Sequence, residues 1–526
     1  MKSNIERSST VRGDKEIEVM LTLRRKVDPS PLTSLADVPL AQRHHLRVSD
    51  IGKTFAPDAA DVSQVRRYAR SHGFRCTAVS AAGASVLLRG TVAQFNRAFG
   101  IKLVHRREPR YASPYITHDQ EITIPAELKQ VVTGVFGLDN RPASRRPHGL
   151  AHGMSANNIT PPPVTSKSRP PAEFANLYNF PQHASGKGQS IGLLEFGGGF
   201  REKQLHSYFS SVGVKSPKLV VKEVSPGTNQ PSGKPGTLNS DTEVYLDIEV
   251  AASLAPDAMI VIYFGENTTK GWLSTLQAAI FDKRHDLSVI SISWGEAEQG
   301  WTPEAIKQID NLFQLAAHRG ITICCSSGDR GISENGNQLF TIAFPASSPH
   351  VLACGGTRLE VRKDGSRNEV VWNQWKQYQL ASGGGVSELF PLPRYQKNAK
   401  VPLRRSDGHS AGRGIPDVAA NASSDTGYLI EADDTRMSLG GTSAVAPLWA
   451  ALVARLNEAL GMRVGFLTPL LYRLKTNSAV AIFDITHGYN GSSRTRAYHA
   501  RPGWDACTGL GSPNGEALLQ WLRSFH

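Results

Sequence analysis

LSVISISW (residues 287–294) is followed along the chain by IDNLFQLAAHR (309–319) and then by ITICCSS (321–327). The first and third segments are short, continuous apolar runs rich in β-branched residues, whereas the middle segment has apolar residues at helical spacing. Uninterrupted apolar strands that alternate with helices are typical of a parallel sheet covered by helices on both faces. The segment therefore predicts an α/β fold.

The same pattern extends in both directions from this segment. Further apolar runs are SIGLLEF (190–196), KLVVKEV (218–224), MIVIYF (259–264) and HVLACGG (350–356), with the helical stretch TLQAAIFDKR (275–284) among them. We predict one large α/β domain that covers residues 173–526.

The first third of the chain has a different pattern. It contains the strand EIEVMLTLRRKV (16–27), a helix over residues 61–74 with Asp61 as its cap, and the short helix TVAQFNRAFG (91–100) opened by Thr91. Two further strand-like runs, in CTAVSAAGASVLLRG (76–90) and IKLVHRREPRY (101–111), complete a predicted α+β domain over residues 1–142. Residues 143–172 are rich in Pro, Ser and basic residues, so we expect an exposed linker, where proteases cut.

The positive charge is confined to the same third of the chain. Of a net charge of +13, residues 1–170 carry 26 basic and 14 acidic side chains, against 33 and 32 in the remainder. Charge alone leaves three interpretations open: a nucleic-acid arm, a solvated face, or a removable segment that docks on acidic groups. The five cysteines show no zinc or disulfide spacing and are expected to be buried thiols. No apolar run reaches ~18 residues, and the N-terminus lacks the apolar core of a signal peptide.

A candidate nucleophile lies in GGTSAVAP (440–447), where Ser443 precedes an amphipathic run. We expect Ser443 at a helix N-terminus, with Pro447 in the first turn, and the helix dipole there favours negative charge. An N-cap serine on a core helix is the equally weighted alternative.

A serine nucleophile needs a base, and the HGTH-like segment of subtilisin-type enzymes is absent. Its place is taken by DTEVYLDIEVAASLAPDA (241–258), in which Glu243 and Asp247 share one helix face while Glu249 points away. The apolar neighbours predict a buried helix whose carboxyls share a proton, and a solvated acidic face is the alternative. Asp329 follows the strand in CCSSGDRG (324–331), at the sheet edge that carries active sites in α/β proteins, or else closes an Asx turn.

Together these residues resemble the sedolisin family, the serine-carboxyl peptidases, and most closely its kumamolisin-like branch. The resemblance implies a subtilisin-like catalytic domain behind a ferredoxin-like, inhibitory prosegment that ends in VFGLDNRP (135–142). It also implies catalytic roles for Glu243, Asp247 and Ser443, an oxyanion role for Asp329, and supporting roles for Glu195 and Trp294. A basic prosegment would cover an acidic cleft, which leaves nucleic acid and membrane as unexpected partners.

The resemblance further implies one Ca²⁺ ion near the C-terminus, in FDITHG (483–488) and RPGWDACTGLGSP (501–513). The expected ligands are the carboxylates of Asp484 and Asp505 and the carbonyls of Ile485 and Gly503, an all-oxygen set that suits a hard cation. Arg501 occupies a position where relatives often have glycine. Ala343 replaces an acidic residue that lines the substrate cleft in some relatives, so no cleavage preference follows.

These expectations define an acid-acting, extracellular, monomeric endopeptidase, made as a self-processing proenzyme, whose substrates are proteins, peptides and its own prosegment. Three alternatives are retained: an inactive homologue that binds peptides, a neutral subtilisin-type protease, and a nucleotide-binding enzyme suggested by GGG at residues 197–199.

Overall fold

The computed structural model describes residues 6–30, 35, 38–108, 111, 113–144, 162–334, 340–474 and 481–524. Most of the predicted linker, including any maturation site within residues 145–161, lies outside the described residues. Among the helices that are described, none is both long and apolar enough to cross a membrane.

The prosegment is built on a four-stranded antiparallel sheet with the order β3-β4-β2-β7. In sequence order these strands are β2, β3, β4 and β7, with helices between β2 and β3 and again between β4 and β7. This is the β-α-β-β-α-β arrangement of ferredoxin-like domains, so the predicted fold of the prosegment is confirmed. A second sheet has the order β1-β5-β6. The strands are β1 Glu6–Thr10, β2 Glu16–Leu23, β3 Arg75–Ser80, β4 Ser85–Thr91, β5 Val104–Arg107, β6 Tyr115–Thr117 and β7 Val132–Phe136, and the helices are α1 Val48–Thr54, α2 Ala59–Ser71 and α3 Val92–Phe99.

The two predicted helix caps in the prosegment have different outcomes. Thr91 does cap α3, because its hydroxyl accepts from Gln94 N while the Gln94 side chain accepts from Thr91 N. The prediction for Asp61 is wrong, since α2 begins at Ala59 after Asp58. Asp61 instead lies in the first turn, buried in an ion pair with Arg24 at 2.7 Å.

The second domain contains an eight-stranded sheet with the order β16-β15-β13-β11-β8-β10-β9, in which β21 also pairs with β15. All its strand pairs are parallel except β15–β16, and each apolar run predicted as a strand forms one. The sheet strands are β8 Ser190–Glu195, β9 Lys218–Glu223, β10 Met259–Phe264, β11 Val289–Ile292, β13 Thr322–Ser326, β15 Leu352–Val361, β16 Arg367–Val371 and β21 Val418–Asn421.

Strands outside this sheet and nine helices complete the described part of this domain. The strands are β12 Glu296–Ala297, β14 Ala343–Phe344, β17 Asn373–Gln374, β18 Leu380–Ala381, β19 Gly385–Pro391, β20 Gly412–Ile415, β22 Tyr428–Ala432, β23 Thr435–Leu439, β24 Ile482–Phe483 and β25 Ser512–Pro513. The helices are α4 Glu173–Leu177, α5 Glu202–Ser211, α6 Ser240–Leu254, α7 Thr269–Ile280, α8 Pro303–His318, α9 Trp375–Tyr378, α10 Thr442–Leu460, α11 Thr468–Leu471 and α12 Gly515–Arg523.

Each face of the sheet packs against a different pair of helices. Helices α6 and α10 share one apolar core with Cys324, whereas α7 and α8 share the other with Cys325. Successive residues of a strand point to opposite faces, so both neighbours are buried. The cysteines are unpaired, as predicted, and all but the half-buried Cys76 are fully buried.

The prosegment packs on the outer side of α7 and α8. Met20 and Phe136 belong to the same apolar core as Trp272, and Ser85 Oγ lies 3.1 Å from Gln277 Oε1. The chain remains attached to the catalytic domain just after the prosegment. Ser144 N and Oγ donate to the Asn267 side-chain oxygen at 3.0 and 2.9 Å, and Asn267 Nδ2 donates to Ser144 O at 2.8 Å.

Candidate active site

The predicted carboxylates lie on a helix that is buried from Asp241 to its last residue, Leu254. Helix α6 begins after Asn239, whose side chain accepts from Thr242 N at 3.0 Å. Glu243, Asp247 and Glu249 are all fully buried, so the alternative of a solvated acidic face is wrong. Glu249 is turned away from the other two, as expected, and accepts from Glu431 N at 3.0 Å.

A network of buried polar groups surrounds Asp247. Ser293, directly after β11, donates from Oγ to Asp247 Oδ1 at 2.8 Å. Trp294 Nε1 donates to Glu195 Oε2 at 3.0 Å, which places both predicted supporting residues in one hydrogen bond.

The electrostatics of this network favour retained protons. Burial, with the nearby charge of Glu195 as a second cause, raises the pKa of Asp247 well above its ordinary value. Burial also raises the pKa of Glu195 to about 8, and the charge of Glu243 contributes further. Neighbouring buried carboxyls cannot all ionise, so the cluster holds protons at acid pH.

Ser443 is the second residue of α10. Gly441, at φ 86°, takes the backbone conformation that bends the chain into the helix. The Ser443 hydroxyl is buried and forms no hydrogen bond with the residues that the structure describes. Pro447 is the sixth helical residue and not in the first turn as predicted, so the Ser443 carbonyl has no partner N–H at position 447. That carbonyl instead lies 3.3 Å from the Ser293 hydroxyl.

Asp329 is joined to the residue before Ser443. Thr442 N and Thr442 Oγ1 both donate to Asp329 Oδ1 at 2.8 Å, so the carboxyl binds across 113 residues instead of closing a turn. The other oxygen, Oδ2, is buried and has no hydrogen-bond partner among the described residues. Burial raises the pKa of Asp329 to about 6, against which the two hydrogen bonds from Thr442 act.

Two residues of this site, Ser293 and Thr442, are not among those predicted from the sequence. Ser293 links Asp247 to the backbone of Ser443, and Thr442 links Asp329 to the start of α10. The sequence signal that points to a residue such as Ser293 is Pro447. A proline four residues after Ser443 has no N–H to donate to the Ser443 carbonyl, so that carbonyl needs a donor from elsewhere in the chain.

The GGG run at 197–199 has a structural role. A side chain on Gly198 would lie 2.4 Å from the backbone of Ser240, and Gly199 N donates to Asp241 Oδ1 at 2.9 Å. The glycines therefore let this loop pack directly against the start of α6, where the Gly199 N–H is already bound to the Asp241 carboxylate.

The predicted metal ligands lie on two segments that contact each other. Asp484 Oδ2 accepts from Gly503 N at 2.8 Å, while Asp505 Oδ1 accepts from Cys507 N and Thr508 N at 2.9 Å each. Ile485 is buried beside Asp484. Burial raises the pKa of Asp505 to about 6 and also raises that of Asp484.

The charged guanidinium of Arg501 binds backbone carbonyls and not the predicted carboxylate ligands. Its guanidinium donates to the carbonyls of Trp504 and Lys400, and only its backbone N–H binds Asp505, at 3.2 Å. Among the described residues no group of three or more His, Cys, Asp or Glu side chains could hold a metal, so an ion here would depend on carbonyl ligands.

Comparison with known proteins identifies the family. Residues 3–141 match the family model "Pro-kumamolisin, activation domain", and residues 236–473 match "Subtilase family". Kumamolisin from Bacillus sp. (strain MN-32) is 41% identical over 524 residues, covering 97% of this chain and 92% of that protein. The chain belongs to the sedolisin family.

Two further comparisons, one of sequence and one of structure, agree with this assignment. Sedolisin from Pseudomonas sp. (strain 101) is 28% identical over 490 residues, covering 89% of this chain and 80% of that protein. The solved structure of Pseudomonas sedolisin, a serine-carboxyl proteinase complexed with two molecules of pseudo-iodotyrostatin, matches with a TM-score of 0.61 at 28% identity. That match covers 69% of this chain and 99% of the other. This sedolisin-family chain is therefore a serine-type peptidase with a subtilisin-like fold and a prosegment.

Proposed function

We propose that the protein is an acid-acting endopeptidase that cleaves peptide bonds through an acyl-enzyme on Ser443, with Glu243 as general base. The observation that carries this proposal is the buried carboxyl cluster of α6, connected by Ser293 to the backbone of Ser443. A carboxyl base works best near its own pKa, at a pH where a histidine would be protonated.

In this mechanism Glu243 takes the proton of Ser443 as the hydroxyl oxygen attacks the peptide carbonyl. Asp247 shares a proton with Glu243 and tunes its basicity, while Glu195 and Trp294 hold Asp247 in place. Glu243 then returns the proton to the leaving amine, and water hydrolyses the acyl-enzyme by the same route.

Asp329 donates a hydrogen bond to the oxyanion, for which its carboxyl must be protonated. Two features support this role: Oδ1 is already saturated by Thr442, and Oδ2 is buried without a partner among the described residues. The proton is therefore best placed on Oδ2, next to the N-terminus of the helix that carries Ser443.

We also propose that the precursor cuts itself at a site within the linker, residues 143–172. The hydrogen bonds between Ser144 and Asn267 hold the chain at the start of that segment. Incubation of purified precursor at about pH 4, followed by N-terminal sequencing of the product, tests the proposal. Self-processing that stops with Ser443→Ala supports it, whereas a precursor that neither cuts itself nor hydrolyses peptides would favour the alternative of a peptide-binding homologue.

One Ca²⁺ ion is proposed at Asp484 and Asp505, with carbonyl oxygens of Ile485 and Gly503. The donor set fits a hard cation, since the described residues supply two carboxylates with raised pKa values and no ion pair to neutralise them. The ion would stabilise the C-terminal segments without taking part in the reaction. Monomeric state and extracellular location are proposed with the family assignment.

A further inference from the structure

The carbonyl of the nucleophile is an unusual group within its own helix. A helical carbonyl at position 443 would accept from the N–H at position 447, which is proline and has none. The carbonyl is buried with the rest of Ser443, and a buried carbonyl without a donor is destabilising. Its donor is the hydroxyl of Ser293, at 3.3 Å, which comes from a different element 150 residues away in sequence.

The same hydroxyl also contacts Asp247, with Oγ 2.8 Å from Oδ1. A serine hydroxyl has one hydrogen and two acceptor sites, so it cannot donate to both groups at full strength. Which group receives the hydrogen depends on the charge of Asp247, because an ionised carboxylate is a stronger acceptor than a peptide carbonyl.

We propose that Ser293 is a positioning residue that couples the protonation state of Asp247 to the peptide of the nucleophile. When Asp247 holds the proton that it shares with Glu243, its Oδ1 is a neutral and therefore weaker acceptor, and Ser293 donates mainly to the Ser443 carbonyl, which fixes the first turn of α10. When Asp247 ionises, Ser293 turns its hydrogen to the carboxylate and the carbonyl loses its donor. This inference rests on the proposed catalytic roles of Asp247 and Ser443.

The protonation state of Asp247 depends on the carboxyl groups that surround it. Glu243 lies one turn before Asp247 on α6, and Glu195, at the end of β8, faces Asp247 with Trp294 as its partner. The remaining polar contacts of Ser293 come from its own backbone, where Ser326 Oγ donates to Ser293 O at 3.1 Å. No basic side chain among the described residues forms an ion pair with Asp247, so protons alone balance its charge.

Proline 447 offers a matched test, because Pro447→Ala restores the missing helical N–H. Mature forms of Ser293→Ala, Pro447→Ala and the double variant are compared with wild type for kcat, KM and pH profile on a quenched fluorescent peptide. Ser293→Ala is expected to lower kcat about 10- to 100-fold with little change in KM, the size that loss of one buried hydrogen bond from a site predicts. Its pH profile should move to higher pH, since the ionised form of Asp247 loses a donor.

The double variant separates the effect of Ser293 on the Ser443 carbonyl from its effect on the ionisation of Asp247. Its new N–H should restore much of kcat, while the pH profile stays displaced because Asp247 still lacks a donor. Pro447→Ala alone frees Ser293 for Asp247 and should move the profile to lower pH, and this arm remains informative if Ser293→Ala does not fold. Wild-type kcat and an unmoved profile in Ser293→Ala, or no recovery in the double variant, would overturn the inference. Activity in Ser443→Ala would instead overturn the proposed function itself.

Discussion

Replacement of Asp329 by asparagine tests the oxyanion role with little change of shape. In wild type the Oδ1 atom accepts two hydrogen bonds from Thr442, and Oδ2 has no partner among the described residues. In Asp329→Asn, the amide oxygen keeps both bonds and Nδ2 takes the place of Oδ2. The variant therefore keeps a donor toward the oxyanion at every pH, whereas wild type has one only while the carboxyl is protonated.

The size of the effect follows from the pKa of Asp329, which burial raises to about 6. At that pKa nearly all of the carboxyl is protonated at pH 4 and about one tenth at pH 7, so this group alone predicts a roughly tenfold loss of kcat. In the variant this loss is absent, although ionisation of the Glu243–Asp247 pair remains in both proteins. The ratio of variant to wild-type kcat should therefore rise about tenfold between pH 4 and pH 7.

The pH dependence of folding stability is an independent measurement of the ionisation of Asp329. Because the folded pKa is raised, the unfolded chain gives up its proton first, and folding stability falls as pH increases from about 4 through 6. A rise of about 2 units from the ordinary 3.8 corresponds to about 3 kcal/mol of unfolding free energy. Urea unfolding in a Ser443→Ala background, which prevents self-cleavage, should show this loss with Asp329 and lack it with asparagine.

The oxyanion role of Asp329 is refuted if kcat of Asp329→Asn declines with pH as steeply as kcat of wild type. Equal loss of stability in the two proteins between pH 4 and pH 7 would also refute it, since Asp329 would then be ionised already at pH 4.

Three further outcomes are expected. Purified Ser443→Ala precursor should remain at 57.1 kDa at acid pH while wild type is cut, and normal cutting in the absence of other proteases would remove Ser443 as nucleophile. Glu243→Gln should lower kcat by several orders of magnitude at every pH. The control Glu249→Gln, an equally buried change on the same helix, should leave kcat within a few-fold of wild type. Similar losses in both variants would show that α6 is sensitive to any substitution and that Glu243 has no special role. A chelator should lower the Tm of the precursor by roughly 5–10 °C, and Asp484→Asn should abolish that shift; an unchanged Tm together with no calcium by elemental analysis would remove the metal site.

The fold was predictable because its central strands are buried on both faces. Cys324 and Cys325 pack into opposite cores, so no charged residue interrupts the run and the pattern is readable without long-range information. Asp61 shows the limit of local patterns. Asp58 and Asp61 both lie near the start of α2, but Asp61 pairs with Arg24, 37 residues earlier, a contact that no local pattern shows.

The site was predictable to the extent that its spacing is local. The four-residue interval between Glu243 and Asp247 places them on one helix face, and the apolar neighbours indicate burial. Ser293 and Thr442 could not be assigned in this way, because their contacts join residues 46 to 150 positions apart. Their polar partners become visible only when the sheet edge and the start of α10 are brought together.

Burial of the carboxyls links the proposed acid activity of the site to the pH dependence of its stability. Glu195, Asp247 and Asp329 all have raised pKa values, and burial is the largest cause in each case. Folding therefore takes up protons at these positions, so their contribution to stability is present below about pH 4 and is lost as pH rises through the folded pKa values. The protonated carboxyls on which the proposed mechanism depends are thus also the state in which these residues stabilise the fold. A histidine base buried among the same residues would charge on acidification and gain no such match between working pH and stability.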